Sequence, residues 1–199
     1  MKTGKPVLRI ILIVVSVLAA IVILSALARL ALRMNGEADP NVGQIRILGS
    51  VVTIEHVLTV RLPEPAEQWE AVTGARLDDY SPRPVLALFH QEPAARVLLQ
   101  LWPAEGVTPE NISTELAKQL TDQGFEVAAF CGIGPSGRRC SLVFESISQE
   151  SAPRGKIWIE YLPGDPQMLL IIISTYAPTD YEQFEPQIDY LADHVRSDD

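Results

Sequence analysis

The first 34 positions of this 199-residue chain contain no acidic residue. All 25 acids lie beyond Met34, with eleven of the 16 basic residues, so that part carries −14 against +5 for the leader. A surface this acidic repels phosphates, which excludes nucleic acid as an expected partner. Its plain consequence is solubility; binding of cations or of a basic partner is the alternative. Cysteine is scarce as well: Cys131 and Cys140 stand alone, separated by GIGPSGRR. Eight intervening residues exclude a C-x-x-C redox motif, and the three scattered histidines leave a cysteine-based metal site short of ligands. Catalytic signatures are missing too. There is no Gly-x-Ser-x-Gly elbow, no His-Glu-x-x-His and no Gly-x-x-x-x-Gly-Lys-Ser/Thr loop. Gly132, Gly134 and Gly137 form a spaced trio, but the segment that follows reads as a strand, so no helix N-terminus would face a phosphate. Internal repeats, a Leu-x-x-Cys lipoprotein box and a pilin-type junction are also absent. No enzyme, cofactor or metal site is therefore expected.

What the leader does contain is an uncharged run of nineteen residues, Ile10 to Ala28, interrupted only by Ser16 and Ser25. As a helix it would span roughly 28 Å, close to the ~30 Å hydrocarbon core of a bilayer. Lys2, Lys5 and Arg9 precede the run; Arg29 and Arg33 follow it. The run is longer than the apolar core of a cleaved signal peptide, and its helical pattern continues through Leu30, Ala31, Leu32 and Met34. Residues 1–34 are accordingly expected to form a cytoplasmic tail and an uncleaved signal-anchor helix. Three flanking charges before the run against two after it, the short N-terminal tail and the later cysteine pair together favour an N-terminus in the cytoplasm and the remainder in the periplasm or its extracytoplasmic equivalent. Ala26-Leu27-Ala28 offers a competing cleavage site, and cleavage there would release a secreted soluble domain. Downstream of an export segment, the even cysteine pair suggests a disulfide in an oxidising compartment; a free pair remains the alternative.

Residues 35–43 (NGEADPNVG) read as a flexible linker, and 44–199 as one α+β domain. VVTIE and VLTVRLP, from Val51, are β-branched and alternating, with Leu58, Val60 and Leu62 on one face. Residues 73–84 read as a loop. Val85–Gln91 and Ala95–Trp102 form a hairpin across Glu92-Pro93-Ala94. Thr108-Pro109-Glu110 opens a helix that carries Ile112, Leu116 and Leu120 on one face and stops at Gly124. Phe125–Phe130 and Arg139–Ser146 flank GIGPSG as strands with the cysteines at their ends. Lys156–Leu162 and Gln167–Tyr176 form the last hairpin, in which the near-continuous MLLIIIS marks a central strand covered on both faces. A closing helix carries Phe184, Ile188, Leu191 and Val195. Thr179-Asp180-Tyr181-Glu182 has capping-box spacing, and Pro186 requires either a start near Glu185 or a distorted first turn. The tail VRSDD is expected to fray. Consecutive strands joined by short turns argue for one antiparallel sheet flanked by two helices.

This order resembles the PsbP-like fold, an antiparallel sheet packed between helices. Val60-Arg61-Leu62-Pro63 followed by Trp69 resembles its strand-Pro-x-Gly-Trp opening, with Gln68 standing where the family has glycine. The helix from Thr108 to Gln123 before the double hairpin, and the closing helix with Phe184, also fit, so the likeness covers about Val51 to Val195. Its fold family shares no catalytic residues, and the resemblance implies a non-catalytic binding or assembly module.

Glu55-His56 and His90-x-Glu92 could supply metal ligands, and Asp78-Asp79 could hold a cation, but solvated side chains are the expectation at each. Trp69, Trp102 and Trp158 read as packing rather than a ligand cage. Asn111-Ile112-Ser113 matches a glycosylation sequon and reads as helix N-terminus. Arg138 and Arg139 make a small basic spot, expected as a solvated turn with partner contact as the alternative. The functional expectation is a membrane-anchored envelope protein that engages a protein partner. A small-ligand or metal-ion binding protein is the alternative.

Overall fold

Strand β10 (Asp165–Tyr176) sits at the middle of the domain, and the reason is its five consecutive fully or nearly fully buried residues, Leu169 to Ile173. A computed structural model describes residues 45–78, 80, 82–134, 136–146 and 154–198. Before β10 come β1 (Ile45–Leu48), β2 (Val51–Ile54), β3 (Leu58–Arg61), β4 (Trp69–Val72), β5 (Leu86–His90), β6 (Ala95–Pro103), helix α1 (Pro109–Asp122), β7 (Phe125–Gly134), β8 (Gly137–Ser146) and β9 (Arg154–Leu162). After it come helix α2 (Tyr181–Asp193) and β11 (Val195–Ser197). The expected leader helix, its cleavage site and the linker all lie outside the described residues. Among the described residues no helix is long and apolar enough to cross a membrane.

The expected single sheet is two antiparallel sheets. One has seven strands in the order β4-β5-β6-β10-β9-β8-β7, and the other four, β1-β2-β3-β11. Alternation along β10 divides the core between the two faces of the large sheet. Leu169, Ile171 and Ile173 pack with Ile112, Leu116 and Leu120 of α1. Leu170, Ile172 and Tyr176 pack with Phe184, Ile188 and Leu191 of α2 and with Val52, Leu58 and Val60 of the small sheet. Each such side chain contributes roughly 1.5–3 kcal/mol by leaving water, so both faces of this strand must be covered. The second layer of strands arises because α2 alone is too narrow to cover its face.

Local signals set the helix ends. The Thr108 hydroxyl accepts from the Asn111 N–H at 3.3 Å, and Pro109 opens α1. Gly124, just beyond the C-cap, takes a φ of +86°, the left-handed conformation that glycine adopts without steric cost. The C-terminal helix departs from expectation. It begins at Tyr181 after a 3-10 turn at Pro178–Asp180, no side chain caps it, and Pro186 lies inside it. The tail does not fray either. Val195 is fully buried and pairs with Val60, while Asp198 accepts from the His56 N–H at 3.1 Å and the Thr59 hydroxyl at 3.3 Å. Strands β1, β4 and β11 were not expected. Each is three or four residues long, too short to show a period.

Candidate functional site

The hairpin β7–β8 carries the longest edge strand of the described domain. Its strands run on through what reads as a glycine-rich turn, so the cysteines lie within the ladder rather than at strand ends. Cys131 faces Cys140 directly, and the two are joined in a disulfide with their Cα atoms 4.1 Å apart. Among the described residues β7 pairs only with β8, so its other side is an unpaired edge of the seven-stranded sheet. Six consecutive residues on it, Ala128 to Ile133, are exposed, and none is charged. Phe130 is 65% and Ile133 88% exposed, on opposite faces of the strand. Glu126 is the only charged residue in β7. Free edges are ordinarily blunted by lysine, proline, a bulge or short length. Within ten residues β7 has none of these.

Behind the hairpin, β9 and α2 meet along a line of charges. Arg154, Lys156, Trp158 and Glu160 alternate on one face of β9, while Tyr181, Glu185, Asp189 and Asp193 recur every fourth residue on α2. The Arg154 guanidinium lies 3.6 Å from the centre of the Tyr181 ring. Lys156 Nζ reaches Asp189 at 2.7 Å and Glu185 at 3.4 Å. Arg139 of β8 donates to both carboxylate oxygens of Glu160, at 2.9 and 2.8 Å, to Asp193 at 2.5 Å, and stacks over Trp158 at 5.0 Å. Burial alone would lower the Arg139 pKa, but its hydrogen bonds to Glu160 and Asp193 outweigh that and raise it, so the guanidinium stays charged. Chemically the line is a clamp: its carboxylates satisfy Lys156 and Arg139, while Arg154 lies on the Tyr181 ring and reaches Glu145 of β8 at 3.7 Å. The spacing of four in α2 and of two in β9 was present in the sequence, but nothing local says that the two patterns face each other.

Arg138 and Arg139 therefore do not form one basic spot. They lie in β8 rather than in a turn and point to opposite faces. Arg139 is 12% exposed inside the clamp, whereas Arg138 is 58% exposed and pairs with Glu110 of α1 at 2.5 Å. The Glu110 carboxylate is held below its usual range by its own backbone N–H first, then by Arg138 and the Thr108 hydroxyl.

The other singled-out residues are engaged locally and are not brought together. His90 is buried, its ring nitrogens 2.9 Å from the Pro93 carbonyl and from the Gln68 side chain, and its ring packs edge-on against Trp69 and Phe184. Glu55 pairs with Arg46, and Asp78 with Arg83 at 3.1 Å; Asp79 is outside the described residues. Trp69 and Trp102 are buried, and Trp158 is half-buried. An open cleft of about 460 Å³ lies between the β1–β2 turn and the stretch from Leu62 to Ala71, with Glu64 and Glu67 on its wall. The glycine trio leads into a strand, as expected.

One buried group on the clamp side titrates far from its usual range. The Tyr176 hydroxyl has no hydrogen-bond partner among the described residues, and burial pushes its pKa up to about 12. Folded protein keeps this proton between about pH 10 and 12 while unfolded chain loses it, so stability falls as pH rises through that window. The fall should be roughly 2–3 kcal/mol. Tyr176→Phe should remove that share of the alkaline loss in denaturant titrations at pH 9 and pH 11.5, and an unchanged difference would refute the assignment.

No protein-family model matches the chain, and no curated protein does. Solved structures do resemble it. The solution structure of cyanobacterial PsbP (CyanoP) from Synechocystis sp. PCC 6803 matches with a TM-score of 0.50 at 10% identity, over 76% of this chain and 94% of that one. The crystal structure of LpqN, involved in cell envelope biogenesis of Mycobacterium tuberculosis, matches with a TM-score of 0.52 at 9% identity, over 80% of this chain and 86% of that one. At such identities the likeness concerns the fold alone. With its mostly antiparallel sheets and two helices, the described domain has the PsbP-like fold that the sequence suggested.

Proposed function

We propose that this chain is a single-pass inner-membrane protein whose folded domain is a non-catalytic interaction and assembly module on the extracytoplasmic side. The observation that carries this reading is the β7–β8 hairpin. Its disulfide suits an oxidising compartment, and its uncharged exposed strand is the kind of surface that water-soluble domains cover with a partner. The apolar run at 10–28 supplies the tether, and the step from +5 to −14 keeps the domain near an anionic membrane without lying on it. LpqN, which shares the fold, is itself described as involved in cell envelope biogenesis.

The test uses intact membranes containing the full chain. Chemical crosslinking followed by purification in gentle detergent should recover a second envelope protein in fixed stoichiometry, with the chain in the membrane fraction at its full mass. Recovery of no other protein, or a soluble product beginning after Ala28, would overturn the proposal.

A further inference from the structure

We infer that the cleft between the β1–β2 turn and the Leu62–Ala71 stretch is the seat of the chain's own residues 29–34 (RLALRM), which lie outside the described residues. The inference deepens the tethered module proposed above, because it states how the tether engages the domain.

The cleft is an uncovered part of the core. Directly opposed residues of paired strands share a face, and Ile47 stands opposite the fully buried Val52. Ile47 therefore lies on the inner face of the small sheet, yet it is 56% exposed. It lines one side of the cleft, and the core residues Leu62 and Trp69 line the other. Strands β1 and β4 are the edges of their sheets, so among the described residues no further strand closes the gap. Apolar surface left open in this way gains by being covered.

Charge selects what covers it. Glu64 and Glu67 are the charged residues of the lining, and both are exposed. Among the described residues neither has an ion pair or a hydrogen bond. The matching occupant combines apolar side chains with cations. Between Ile10 and Gln44 the chain has two basic residues, Arg29 and Arg33, and they bracket Leu30 and Leu32. Lys2, Lys5 and Arg9 precede the apolar run and fall across the membrane in the proposed topology.

Reach selects the same segment. The described domain starts at Ile45, and Ile47, two residues on, already lines the cleft. Arg33 stands twelve residues before Ile45. A flexible connection of that length has an r.m.s. span of roughly 17–21 Å and extends to about 40 Å. Such a tether holds the segment at an effective concentration on the order of 1 mM. Exposed ion pairs are worth under about 1 kcal/mol each, and the leucines supply the larger share by leaving water. Docking turns the tether into a strut that keeps the cleft end of the domain toward the bilayer.

The test uses the full chain in nanodiscs of zwitterionic phosphatidylcholine. Met34→Cys with Ala66→Cys puts one thiol on the segment and one on the cleft wall, and it keeps both arginines and both glutamates. Under mild oxidation this pair should close an intramolecular disulfide roughly tenfold faster than Met34→Cys with Glu126→Cys on β7, at the opposite edge of the large sheet. Glu64→Arg with Glu67→Arg should slow closure by about tenfold. Tm should hardly change, because both side chains are exposed. Adding Arg29→Glu with Arg33→Glu should restore the rate. Equal rates before and after the glutamates are reversed, or no recovery in the fourfold charge swap, would overturn the inference. Loss of the crosslink on adding phosphatidylglycerol would assign the arginines to lipid headgroups and overturn it too. The mass of the purified chain reports separately on the anchor. Residues 29–34 remain whether or not the leader is cut after Ala28, so docking can fail while anchoring stands, and the reverse.

Discussion

Glu160→Ala is expected to destabilise the folded domain by about 3–5 kcal/mol, because it strands a buried charge. The Glu160 carboxylate is 1% exposed and accepts from Arg139 at two atoms and from the Ser136 hydroxyl at 3.3 Å. Without it the Arg139 guanidinium, 12% exposed, keeps the Trp158 ring and a single carboxylate, Asp193, whose side chain is half in water. The cost is the desolvation of an unpaired cation, not the attraction of the pair. A second expectation follows. Arg139→Met combined with Glu160→Leu should recover most of the loss, since an apolar pair of similar volume leaves no charge to solvate. Urea unfolding of the single and double variants measures both, and added salt should change neither much at so buried a pair. A loss under 1 kcal/mol for Glu160→Ala would mean that the clamp is cosmetic.

Gly155→Ala is expected to cost about 3 kcal/mol, the upper range for overpacking. A Cβ there would stand 2.2 Å from Phe144 Cζ and 2.6 Å from the Ser174 carbonyl oxygen. Reduced backbone freedom in the unfolded chain favours alanine by about 0.5–1 kcal/mol, so the steric term wins. Neither neighbour can give way easily. Phe144 is buried edge-on against Phe125, and Ser174 belongs to β10, which is held on both sides by β6 and β9. Phe144→Leu should rescue Gly155→Ala only partly, since it clears the ring and leaves the carbonyl. Thermal unfolding of the two single variants and the double variant checks this. Full rescue would show that the carbonyl contact is unimportant.

Both effects come from places where the sequence alone is silent. Gly155 looks like any glycine at a strand start; its necessity comes from a ring on β8 and a carbonyl on β10. Arg139 looks like half of a basic pair. Adjacent residues in a strand face opposite ways, so Arg138 went to α1 and Arg139 into the clamp. Glu160 looks like one more solvated acid in an acidic chain. His90, a metal-ligand candidate by residue type, is held between Gln68 and the Pro93 carbonyl.

The elements with a strong period were legible. Leu58, Val60 and Leu62 alternate inward, α1 carries its cap and its stripe, and MLLIIIS is the central strand with both faces covered. These signals are local. They depend on which side chains recur on one face of a helix or strand, and the order of residues alone provides that. The order of elements was enough to suggest a PsbP-like α+β fold, which the structural likenesses bear out.

What the tertiary structure decided is everything that depends on distant segments meeting. It divided the strands into two sheets, because the face left bare beside α2 needed a second layer. It turned a tail that looks frayed into β11, because Val195 has a buried place beside Val60. It placed Cys131 opposite Cys140 inside a ladder and left β7 as an open edge. The run AAFCGI carries no charge to mark it as exposed, and only its neighbours show that it is. Exposure is a property of what fails to cover a residue, and no residue carries that in its own name.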